Sequence, residues 1–560
     1  MISVNGYVWK EIKVKQQLVQ KIKQDFKFST VLSNLIVGKN FNNEEIYSIK
    51  NDIDILNPFL NNQDFINAKN LIINFIKNKK KILVLGDYDV DGTVSTSVLI
   101  NLFRYINHPY DYYIPDRSID GYGVSIKLLK KLHKRLPELI IIVDSGSKSH
   151  EAINYLNNLN IKSIIIDHHD ILKPYPKSNI LINPKKELFK NDHVHLCASA
   201  LVYFLVEIIN KELNLKFLNK TNLLMTALAT ICDVMPLRGL NRNIILKAFK
   251  NYNYKESYFI DYLLTKIKKT NNLHYDDFGY LIGPTLNSGG RLNKSNLPID
   301  VIISTDKIEI RKITDQLIDL NNKRKEIEKN IINKIDKKNI IEINDKIMII
   351  KDISIPEGLI GIIASRFLEK LNKLVIVITQ SGNVLKGSAR STPDINIGSI
   401  INNCVIKKIL TNGGGHQMAA GFSLKKNKFD DFKDYLIKFK TSNLKIKKEY
   451  FCKISSSAIN INFIKDIKKL EPFGNGNDNP SFLVENLKIH KPRIINKSHI
   501  FCLLKDKKNK FFDSITFNSV NTTIGDYIFN YKNYINVICK FNLSGSKNNK
   551  INIQIVDILT

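Results

Sequence analysis

The sequence predicts an α/β fold, with a parallel-sheet domain, a long connecting helix, a second α/β domain and a C-terminal β-barrel. Short β-branched runs alternate with helical stretches from residue 81, which is the pattern of a parallel sheet. Between residues 305 and 336 apolar residues keep helical spacing, with Asp306 as a candidate N-terminal cap. From about residue 445 short alternating strands with Lys-rich turns favour a small barrel.

The composition excludes several classes of protein. The 560 residues are 43% hydrophobic, which is enough for several buried cores. No run of 18 apolar residues predicts a membrane span, and the N-terminus lacks the apolar stretch of a secretion signal. Six scattered cysteines without a CxxC pair argue against a zinc site and a disulfide framework. We therefore expect a cytoplasmic protein without membrane association.

The charge of the chain hints at a polyanionic partner. The formal net charge is +31 and the pI is about 9.6. Such an excess of Lys and Arg favours nucleic-acid binding. Lys, Asn and Ile are abundant along the whole chain, as in proteins from AT-rich genomes, so the excess is also explained by solvated basic surfaces. The charge alone leaves both interpretations open, and the motifs must separate them.

Acidic residues follow three of the predicted strands. The runs are KILVLGDYD (81–89), LIIIVDSGS (139–147) and KSIIIDHHD (162–170). Ligands of open parallel sheets bind beyond the carboxyl ends of the strands, so these acids should line one crevice. If residues 87–91 are extended, Asp87, Asp89 and Asp91 point the same way. Carboxylates packed that closely must protonate or bind a cation.

The predicted strand ends, together with the end of a predicted helix at 221–231, collect a set of acids and histidines. The set is Asp87, Asp89, Asp91, Asp144, Asp167, His168, His169 and Asp233. An excess of carboxylates over imidazoles suits Mg²⁺ or Mn²⁺, and a set this large can hold two ions, an arrangement that cleaves phosphoesters. Asp167 is expected to accept a ring N–H behind the metal. An isolated aspartate at a strand end is usually a turn or cap residue, so the assignment of Asp144 as a ligand depends on the cluster. His169 is a ligand, a proton donor or a stacking surface.

These segments resemble the motifs of a known family. GDYDVDG, VDSG, IIIDHHD and ICDVMPL resemble the four motifs of the DHH phosphoesterase superfamily. GPTLNSGGRL, KGSARS and GGGHQMAAG resemble further motifs of its RecJ exonucleases. YVW near the N-terminus, YIPDRSIDGYG and EPFGNGNDNP extend this resemblance, in order, over nearly the whole chain.

The resemblance implies a metal-dependent 5′→3′ exonuclease that degrades single-stranded DNA to 5′-mononucleotides in recombination and repair. Two divalent ions, Mn²⁺ or Mg²⁺, are implied at Asp87, Asp89, Asp91, Asp144, His168 and Asp233. The implied catalytic residues are Asp89, Asp91, His168, His169 and Asp233. The implied DNA or phosphate contacts are Arg117, Arg291, Ser388, Arg390, Gly414 and His416, because Arg and Ser suit phosphate oxygens and Gly admits a strand closely.

The resemblance also implies five parts of the chain. They are an N-terminal region packing on the core (1–75), a DHH phosphoesterase domain (76–250), a helical connector (251–340), a DHH-associated domain (341–440) and an OB-fold nucleic-acid-binding domain (441–560). In the last part four aromatics are either barrel core or base-stacking platforms: Phe473, Phe482, Phe501 and Phe517. A monomer is implied, with a helicase or a single-strand-binding protein as candidate partners.

Two other functions share parts of this pattern. A DHH-type phosphodiesterase of short oligonucleotides or cyclic dinucleotides would use the same metal residues but needs only two domains. A binding protein that has lost catalysis would lack metal ligands, and none of the core ligands is missing here. One departure from the RecJ pattern is Ile355-Pro356, where RecJ proteins commonly have Trp-His before Glu357-Gly358. We expect this departure to alter DNA contact or activity.

Overall fold

The computed structural model divides the chain into two compact units. It describes residues 2–117, 119–121, 123–186, 193–252, 256–269, 273–335, 339–439, 447–544 and 550–559. One unit combines Met1–Asp52 with Thr441–Thr560, and the other is Ile53–Lys440. The second unit contains all of the predicted metal and phosphate residues, so its fold determines their geometry.

The first unit begins with one strand and three helices. They are β1 (Val8–Glu11), α1 (Gln16–Phe26), α2 (Thr30–Gly38) and α3 (Asn43–Tyr47). The Ser29 side chain accepts a hydrogen bond from the Leu32 N–H and caps α2. Asn42 and Glu45 form a capping box at the start of α3, which fixes the beginning of this short helix.

The second unit begins with a helix. A five-stranded sheet follows, and its strands alternate with helices as the sequence predicts. The strands are β2 (Ile82–Leu85), β3 (Tyr110–Tyr113), β4 (Leu139–Val143), β5 (Lys162–Ile166) and β6 (Ile180–Ile182). The helices are α4 (Gln63–Lys77), α5 (Val90–Tyr105), α6 (Ile126–Lys131) and α7 (His150–Asn158). All strands are parallel in the order β3-β2-β4-β5-β6. The order reverses between β2 and β4, which is where open sheets bind ligands.

A helical region follows the sheet and ends in the predicted long connecting helix. Its members are α8 (Ala198–Glu212), α9 (Lys220–Cys232), α10 (Gly239–Asn251), α11 (Tyr258–Lys266), α12 (Tyr275–Asp277), α13 (Gly283–Arg291), α14 (Asn296–Ile303) and α15 (Lys307–Lys334). The Asp306 carboxylate accepts from the Ile308 N–H and caps α15, as predicted. Helices α8 and α9 pack against α5, and together they bury one face of the parallel sheet.

The second lobe of this unit is the predicted second α/β domain. It contains β7 (Ile340–Asn344), β8 (Ile347–Lys351), α16 (Ile360–Leu371), β9 (Leu374–Ser381), β10 (Val384–Arg390), α17 (Ile397–Ile406), β11 (Asn412–Gly415), β12 (Ala419–Lys425) and α18 (Phe429–Lys438). The sheet order is β11-β12-β10-β9-β8-β7, with only the β8–β9 pair parallel. Apolar clusters on both faces hold the sheet between its helices.

The first unit is completed by the predicted C-terminal barrel. Its elements are β13 (Lys447–Tyr450), β14 (Lys453–Ile454), α19 (Ile461–Lys468), β15 (Phe482–Ile495), β16 (His499–Lys505), β17 (Phe511–Thr516), α20 (Thr523–Asn530), β18 (Tyr534–Ser544) and β19 (Lys550–Leu559). Strand β15 pairs with both β16 and β18, which closes the barrel. Strand β1 pairs in parallel with β13, so the N-terminal helices and the barrel share one core.

The described residues contain neither a helix that could span a membrane nor a disulfide bond. None of the helices among the described residues has both the length and the apolar content required to cross a bilayer. All six cysteines are described, and each is a free thiol.

A buried hydrogen bond joins the N-terminal strand to the last strand of the barrel. The Trp9 indole N–H donates to Asp557 Oδ2 at 2.8 Å. Asp557 Oδ1 accepts from the Ile558 N–H at 3.0 Å, and the Asp557 side chain is fully buried. Trp9 is the single tryptophan of the chain, so its fluorescence reports on this unit alone.

We expect Asp557→Ala to destabilise the first unit by about 1–3 kcal/mol, because it leaves the indole N–H without its buried acceptor. Urea denaturation followed by Trp9 fluorescence measures the change. Glu449→Ala is the matched control, since it removes an exposed carboxylate from β13. Equal midpoints for the two variants would contradict the prediction.

Candidate metal centre

The three aspartates of GDYDVDG do not lie on an extended strand: Asp87 and Asp89 lie on the turn between β2 and α5, and Asp91 lies in the first turn of α5. Strand β2 ends at Leu85, and Asp89 is the N-cap of α5, accepting from the Gly92 N–H at 3.0 Å. The expected alternation of Asp87, Asp89 and Asp91 along an extended segment is therefore wrong. Because Gly92 lacks a side chain, the turn closes tightly: a Cβ there would lie 2.6 Å from the Asp87 backbone nitrogen.

Asp91 is held by the beginning of a second helix. Its two carboxylate oxygens accept from the Ala198 N–H at 2.7 Å and the Ser199 N–H at 2.9 Å, both in the first turn of α8. The positive end of the helix dipole and two unpaired amide groups stabilise an anion at this position. These two hydrogen bonds satisfy both oxygens of a carboxylate that is buried.

The other candidate ligands meet at His168, beyond the carboxyl ends of β4 and β5. Asp144 follows β4 with a left-handed backbone (φ 59°), and Asp233 is the C-cap of α9. His168 Nε2 lies 3.3 Å from Asp144 Oδ1 and 3.3 Å from Asp233 Oδ2. It lies 3.7 Å from Asp91 Oδ2. Residues far apart in sequence thus surround one imidazole.

All six predicted metal residues belong to one cluster, together with His169. Three groups of side chains each place one ligand atom within 4.8 Å of the others: Asp144, His168 and His169; Asp91, His168 and Asp233; and Asp87, Asp89 and Asp144. His168 and Asp144 are each shared by two groups. The arrangement provides overlapping sets of oxygen and nitrogen ligands rather than one isolated triad.

Electrostatics make this cluster a good fit for divalent cations. Burial, followed by repulsion from Asp89, raises the pKa of Asp87 to about 8. Burial and repulsion from Asp91 also raise the pKa values of Asp144 and Asp233. Among the described residues, three buried carboxylate oxygens each have no hydrogen-bond partner: Asp87 Oδ1, Asp144 Oδ1 and Asp233 Oδ2. Buried carboxylate oxygens without donors are the ligands that Mg²⁺ and Mn²⁺ prefer.

Asp167 lies behind the cluster and contacts both histidines. Its Oδ1 accepts from the backbone N–H groups of His168 and His169, and lies 2.8 Å from His169 Nδ1. Burial alone would raise the pKa of Asp167, but the charge and hydrogen bond of His169 hold it below the usual range. The same pair raises the pKa of His169 to about 9 against the effect of burial. Burial and His169 lower the pKa of His168 to about 4, so His168 is neutral at pH 7 and can coordinate metal.

Three of the predicted phosphate-binding residues are arginines from different parts of the second unit. The Arg117 guanidinium lies 5.5 Å from the centre of the Tyr88 ring, and Arg291 Nη1 donates to the Gly358 carbonyl at 3.1 Å. Arg390 Nη1 donates to Ser388 Oγ at 3.2 Å. Among the described residues no carboxylate lies within 4.0 Å of these three guanidinium groups. We call these three arginines the candidate anion site, because their guanidinium groups suit an anion.

The arginine cluster is partly buried and self-repelling. Burial, with the positive charges of Arg117, Arg324 and Arg390, lowers the pKa of Arg291 to about 10. Helix α13, which ends at Arg291, is held on the acidic turn because Asn287 Oδ1 accepts from the Val90 N–H at 3.2 Å. A Cβ at Gly290 would lie 2.6 Å from the Tyr88 carbonyl, so the helix can approach only through glycine. The anion site and the acidic cluster are therefore neighbours.

Gly414 and His416 belong to the second lobe and face the first lobe at Lys148 and Asp170. His416 Nδ1 lies 3.2 Å from Asp170 Oδ2, and Lys185 Nζ lies 2.8 Å from the other oxygen of Asp170. A Cβ at Gly414 would lie 3.5 Å from Lys148 Nζ. His416 thus has a carboxylate partner in the other lobe, and both side chains of that pair are more than half exposed.

Three family models match the chain in the order of its structural domains. The DHH family N-terminal domain matches residues 81–231, the DHHA1 domain matches residues 344–442 and the RecJ OB domain matches residues 452–557. The chain therefore contains DHH, DHHA1 and RecJ OB domains in this order. The parallel-sheet lobe is its DHH domain, the mixed-sheet lobe its DHHA1 domain and the barrel its RecJ OB domain.

The chain is similar along most of its length to single-stranded-DNA-specific exonucleases named RecJ. It is 26% identical to the Bacillus subtilis protein over 529 residues, which are 91% of this chain and 66% of that protein. It is 27% identical to the Haemophilus influenzae protein over 491 residues, which are 82% of this chain and 84% of that protein. The chain therefore spans about two thirds of the length of the Bacillus relative.

Solved structures share the same fold. RecJ from Thermus thermophilus in complex with Mn²⁺ matches with a TM-score of 0.82 at 19% identity, over 99% of this chain and 80% of that one. An exonuclease RecJ bound to manganese matches with a TM-score of 0.58 at 24% identity, over 68% of this chain and 96% of that one. These likenesses confirm the predicted fold class.

Sequence analysis missed several residues that shape the site. Asn183 is fully buried, and its Nδ2 donates to Ser147 Oγ at 2.8 Å and to the His169 carbonyl at 2.9 Å. It follows β6, so the rule applied to the other strand ends would have found it. Lys148 and Asp170 carry no comparable signal, because their proximity to the DHHA1 domain depends on how the two lobes pack.

The Ile355-Pro356 departure has a structural role in the DHHA1 domain. Ile355 is 2% exposed and belongs to an apolar cluster with Leu359 and Ile363. Its carbonyl accepts from Thr379 Oγ1 at 2.7 Å. Ile355 is therefore a core residue that supports the turn before α16.

We expect Asp144→Asn to stabilise the metal-free protein while abolishing its stabilisation by Mn²⁺. The folded-state pKa of Asp144 is raised, so its contribution to stability is present below the unfolded pKa, near pH 4, and is lost as the pH rises. The variant should gain at least about 1 kcal/mol at pH 8 and nothing near pH 4. Asparagine also tolerates the left-handed backbone.

Thermal denaturation in EDTA and in Mn²⁺ tests this prediction. Asp319→Asn, an exposed position on α15, is the control and should keep the metal response. A normal Mn²⁺ response in Asp144→Asn would rule out Asp144 as a ligand.

Proposed function

We propose that the protein is a metal-dependent exonuclease that degrades single-stranded DNA in the 5′→3′ direction to 5′-mononucleotides. The observation that carries this proposal is a carboxylate and histidine cluster next to an arginine cluster that no carboxylate of the described residues pairs with, both in one unit. The first suits phosphodiester hydrolysis and the second suits a terminal phosphate. The RecJ relatives, named as single-stranded-DNA-specific exonucleases, support the substrate.

We assign the metal site to two divalent ions, Mn²⁺ or Mg²⁺. The residues that would hold them are Asp87, Asp89, Asp91, Asp144, His168 and Asp233. Bound ions of this kind supply an activated water and neutralise charge on the phosphoryl group. The catalytic set in this proposal is Asp89, Asp91, His168, His169 and Asp233. Asp167 keeps both histidines in position from behind.

His169 has a role of its own in this proposal. Its pKa of about 9 means that the imidazole is protonated at pH 7, because Asp167 stabilises the cation. A fixed positive charge beside the cluster stabilises negative charge on the phosphate or on the leaving oxygen. His168, which is neutral, is suited to metal coordination instead.

The end of the strand is recognised by groups from both lobes. Arg117 and Arg291 of the first lobe, with Ser388 and Arg390 of the DHHA1 domain, would bind the terminal 5′ phosphate through charge-assisted hydrogen bonds. Gly414 and His416 would contact the strand further along the cleft. A site that binds a terminal phosphate accounts for cutting from an end.

The barrel provides aromatic and cationic groups suited to single-stranded nucleic acid. Phe517 is 49% exposed, and the Arg493 guanidinium lies 4.8 Å from the centre of the half-buried Phe501 ring. Exposed rings beside cations are stacking platforms for bases. Phe482 and Phe473 pack in or against the barrel core instead. These groups favour long strands over short oligonucleotides or cyclic dinucleotides.

The wider biological assignment is also part of this proposal. We assign the protein to recombination and repair, acting as a cytoplasmic monomer, with a helicase or a single-strand-binding protein supplying the strand. We retain five domains in this assignment, with boundaries at 1–75, 76–250, 251–340, 341–440 and 441–560.

We expect Asp89→Asn to lower single-strand cleavage at least about 100-fold while DNA binding in EDTA is kept. Asparagine retains the N-cap of α5 and removes only the charge. Release of 5′-mononucleotides from long single-stranded DNA in Mn²⁺ is the measurement, with Asp319→Asn as the control. Near-normal cleavage by Asp89→Asn would contradict the assignment of Asp89 to the metal site.

The substrate is tested with four DNAs in Mn²⁺. They are a long single strand labelled at the 5′ end, the same strand labelled at the 3′ end, a duplex and a dinucleotide. We expect early release of the 5′ label, whereas the 3′-labelled strand should shorten progressively and release its label last. Hydrolysis of the dinucleotide with survival of the long strand would favour the short-substrate phosphodiesterase, and retention without cutting would favour a binding protein.

A further inference from the structure

The connecting helix α15 carries charged residues that are buried. Arg324 is 8% exposed and Glu328 is 6% exposed, although most of the polar side chains on this helix face solvent. Charged groups are rarely buried unless they are paired and hydrogen-bonded, because desolvation is costly. Their burial therefore calls for a specific contact on each side of the helix.

Those contacts form a continuous set of hydrogen bonds across three helices. Asn321 Nδ2 donates to Thr285 Oγ1 of α13 at 3.2 Å, and Arg324 Nε donates to Asn321 Oδ1 at 3.1 Å. Glu328 Oε2 accepts from Arg324 Nη1 at 2.9 Å. Its other oxygen, Oε1, accepts from Arg366 Nε of α16 at 2.7 Å. We call these five residues the interlobe network.

The two ends of the interlobe network meet the anion site. Helix α13 ends at Arg291, which donates to the Gly358 carbonyl just before α16. In the first turn of α16 a Cβ at Gly361 would lie 3.1 Å from Arg390 Nη2 and 3.2 Å from Ser388 Oγ. The helices that the network joins thus contact the phosphate-binding groups of both lobes.

Holding these groups together requires a rigid connection. Arg117, Arg291 and Arg390 repel one another, and Arg324 adds a fourth positive charge within range of Arg291. Glu328 neutralises Arg324 and also pairs with Arg366 of the second lobe. Without Glu328 the buried charge of Arg324 would be left uncompensated, which would weaken the contact between the lobes.

We propose that Glu328 is a positioning residue that sets the separation between Arg291 and Arg390 and thereby the preference for 5′-phosphorylated strand ends. This inference rests on the proposed function, since it assumes that the arginine cluster binds the terminal phosphate. Glu328 belongs to the contact between the lobes, so it acts through Arg324 and Arg366.

Equilibrium binding in EDTA tests the proposal without cleavage. Two oligonucleotides of the same sequence carry a dye at the 3′ end and either a phosphate or a hydroxyl at the 5′ end. We expect the wild type to bind the phosphorylated strand about tenfold more tightly or better, as charge-assisted contacts predict. In Glu328→Gln that preference should fall to about threefold or less, with unchanged affinity for the 5′-hydroxyl strand.

Two further variants keep the test decisive. Glu369→Gln removes a carboxylate that contacts the same Arg366 at 3.2 Å but is 57% exposed, and it should keep the wild-type preference. Arg366→Gln changes a half-exposed position and should lose the preference for the 5′ phosphate as Glu328→Gln does. If Glu328→Gln does not fold, Arg366→Gln alone tests the proposal.

The outcomes separate this proposal from the proposed function. Equal binding of both strands by the wild type would refute the phosphate site and this inference with it. A wild-type preference that persists in folded Glu328→Gln and in Arg366→Gln would overturn only the role of Glu328. Equal weakening of both strands by these variants would indicate general damage and would overturn it as well.

Discussion

Repulsion among buried carboxylates beyond β2 and β4 is the constraint on which the rest of the DHH domain depends. The domain offsets this repulsion by a different contact for each aspartate. Asp91 lies on the amino end of α8, and Asp89 caps α5. The left-handed backbone of Asp144 directs its carboxylate to His168. The oxygens left without donors are those a divalent cation would satisfy, so the cost of the metal-free site and its affinity for metal have the same origin.

A second cluster of like charges lies beside the first and has the opposite sign. Helix α13 joins the two clusters. Its Asn287 side chain accepts a hydrogen bond from the Val90 N–H beside the aspartates, and the helix ends at Arg291. The carboxylates oppose the approach of a polyanion, and the arginines favour it. In the proposed function the arginines and the metal together offset that repulsion, which explains why a nuclease of this kind keeps arginines that have no carboxylate partners.

The sequence predicted the sheet, the connecting helix and the barrel because each has a strong periodic pattern, as in the β-branched run of β4. It predicted Asp144 and His168 because parallel strands bring their carboxyl ends together. It failed at residues 87–91, where local alternation gave an extended segment but the capping of α5 by Asp89 decided the conformation. It missed Arg324, Glu328 and Asp170, because their contacts depend on how the DHH and DHHA1 lobes pack, which no local pattern encodes.

The position of Tyr88 links the two clusters to the size of the product. Tyr88 lies between Asp87 and Asp89 in sequence, and its ring lies 5.5 Å from the Arg117 guanidinium. A carboxylate that would bind metal is thus next in sequence to a ring that contacts an arginine that would bind the terminal phosphate. Under the proposed function these groups would contact phosphates that are close together on one strand, as the release of single nucleotides requires. Helix α13 supports this closeness, because it contacts the acidic turn at Val90 and ends at Arg291.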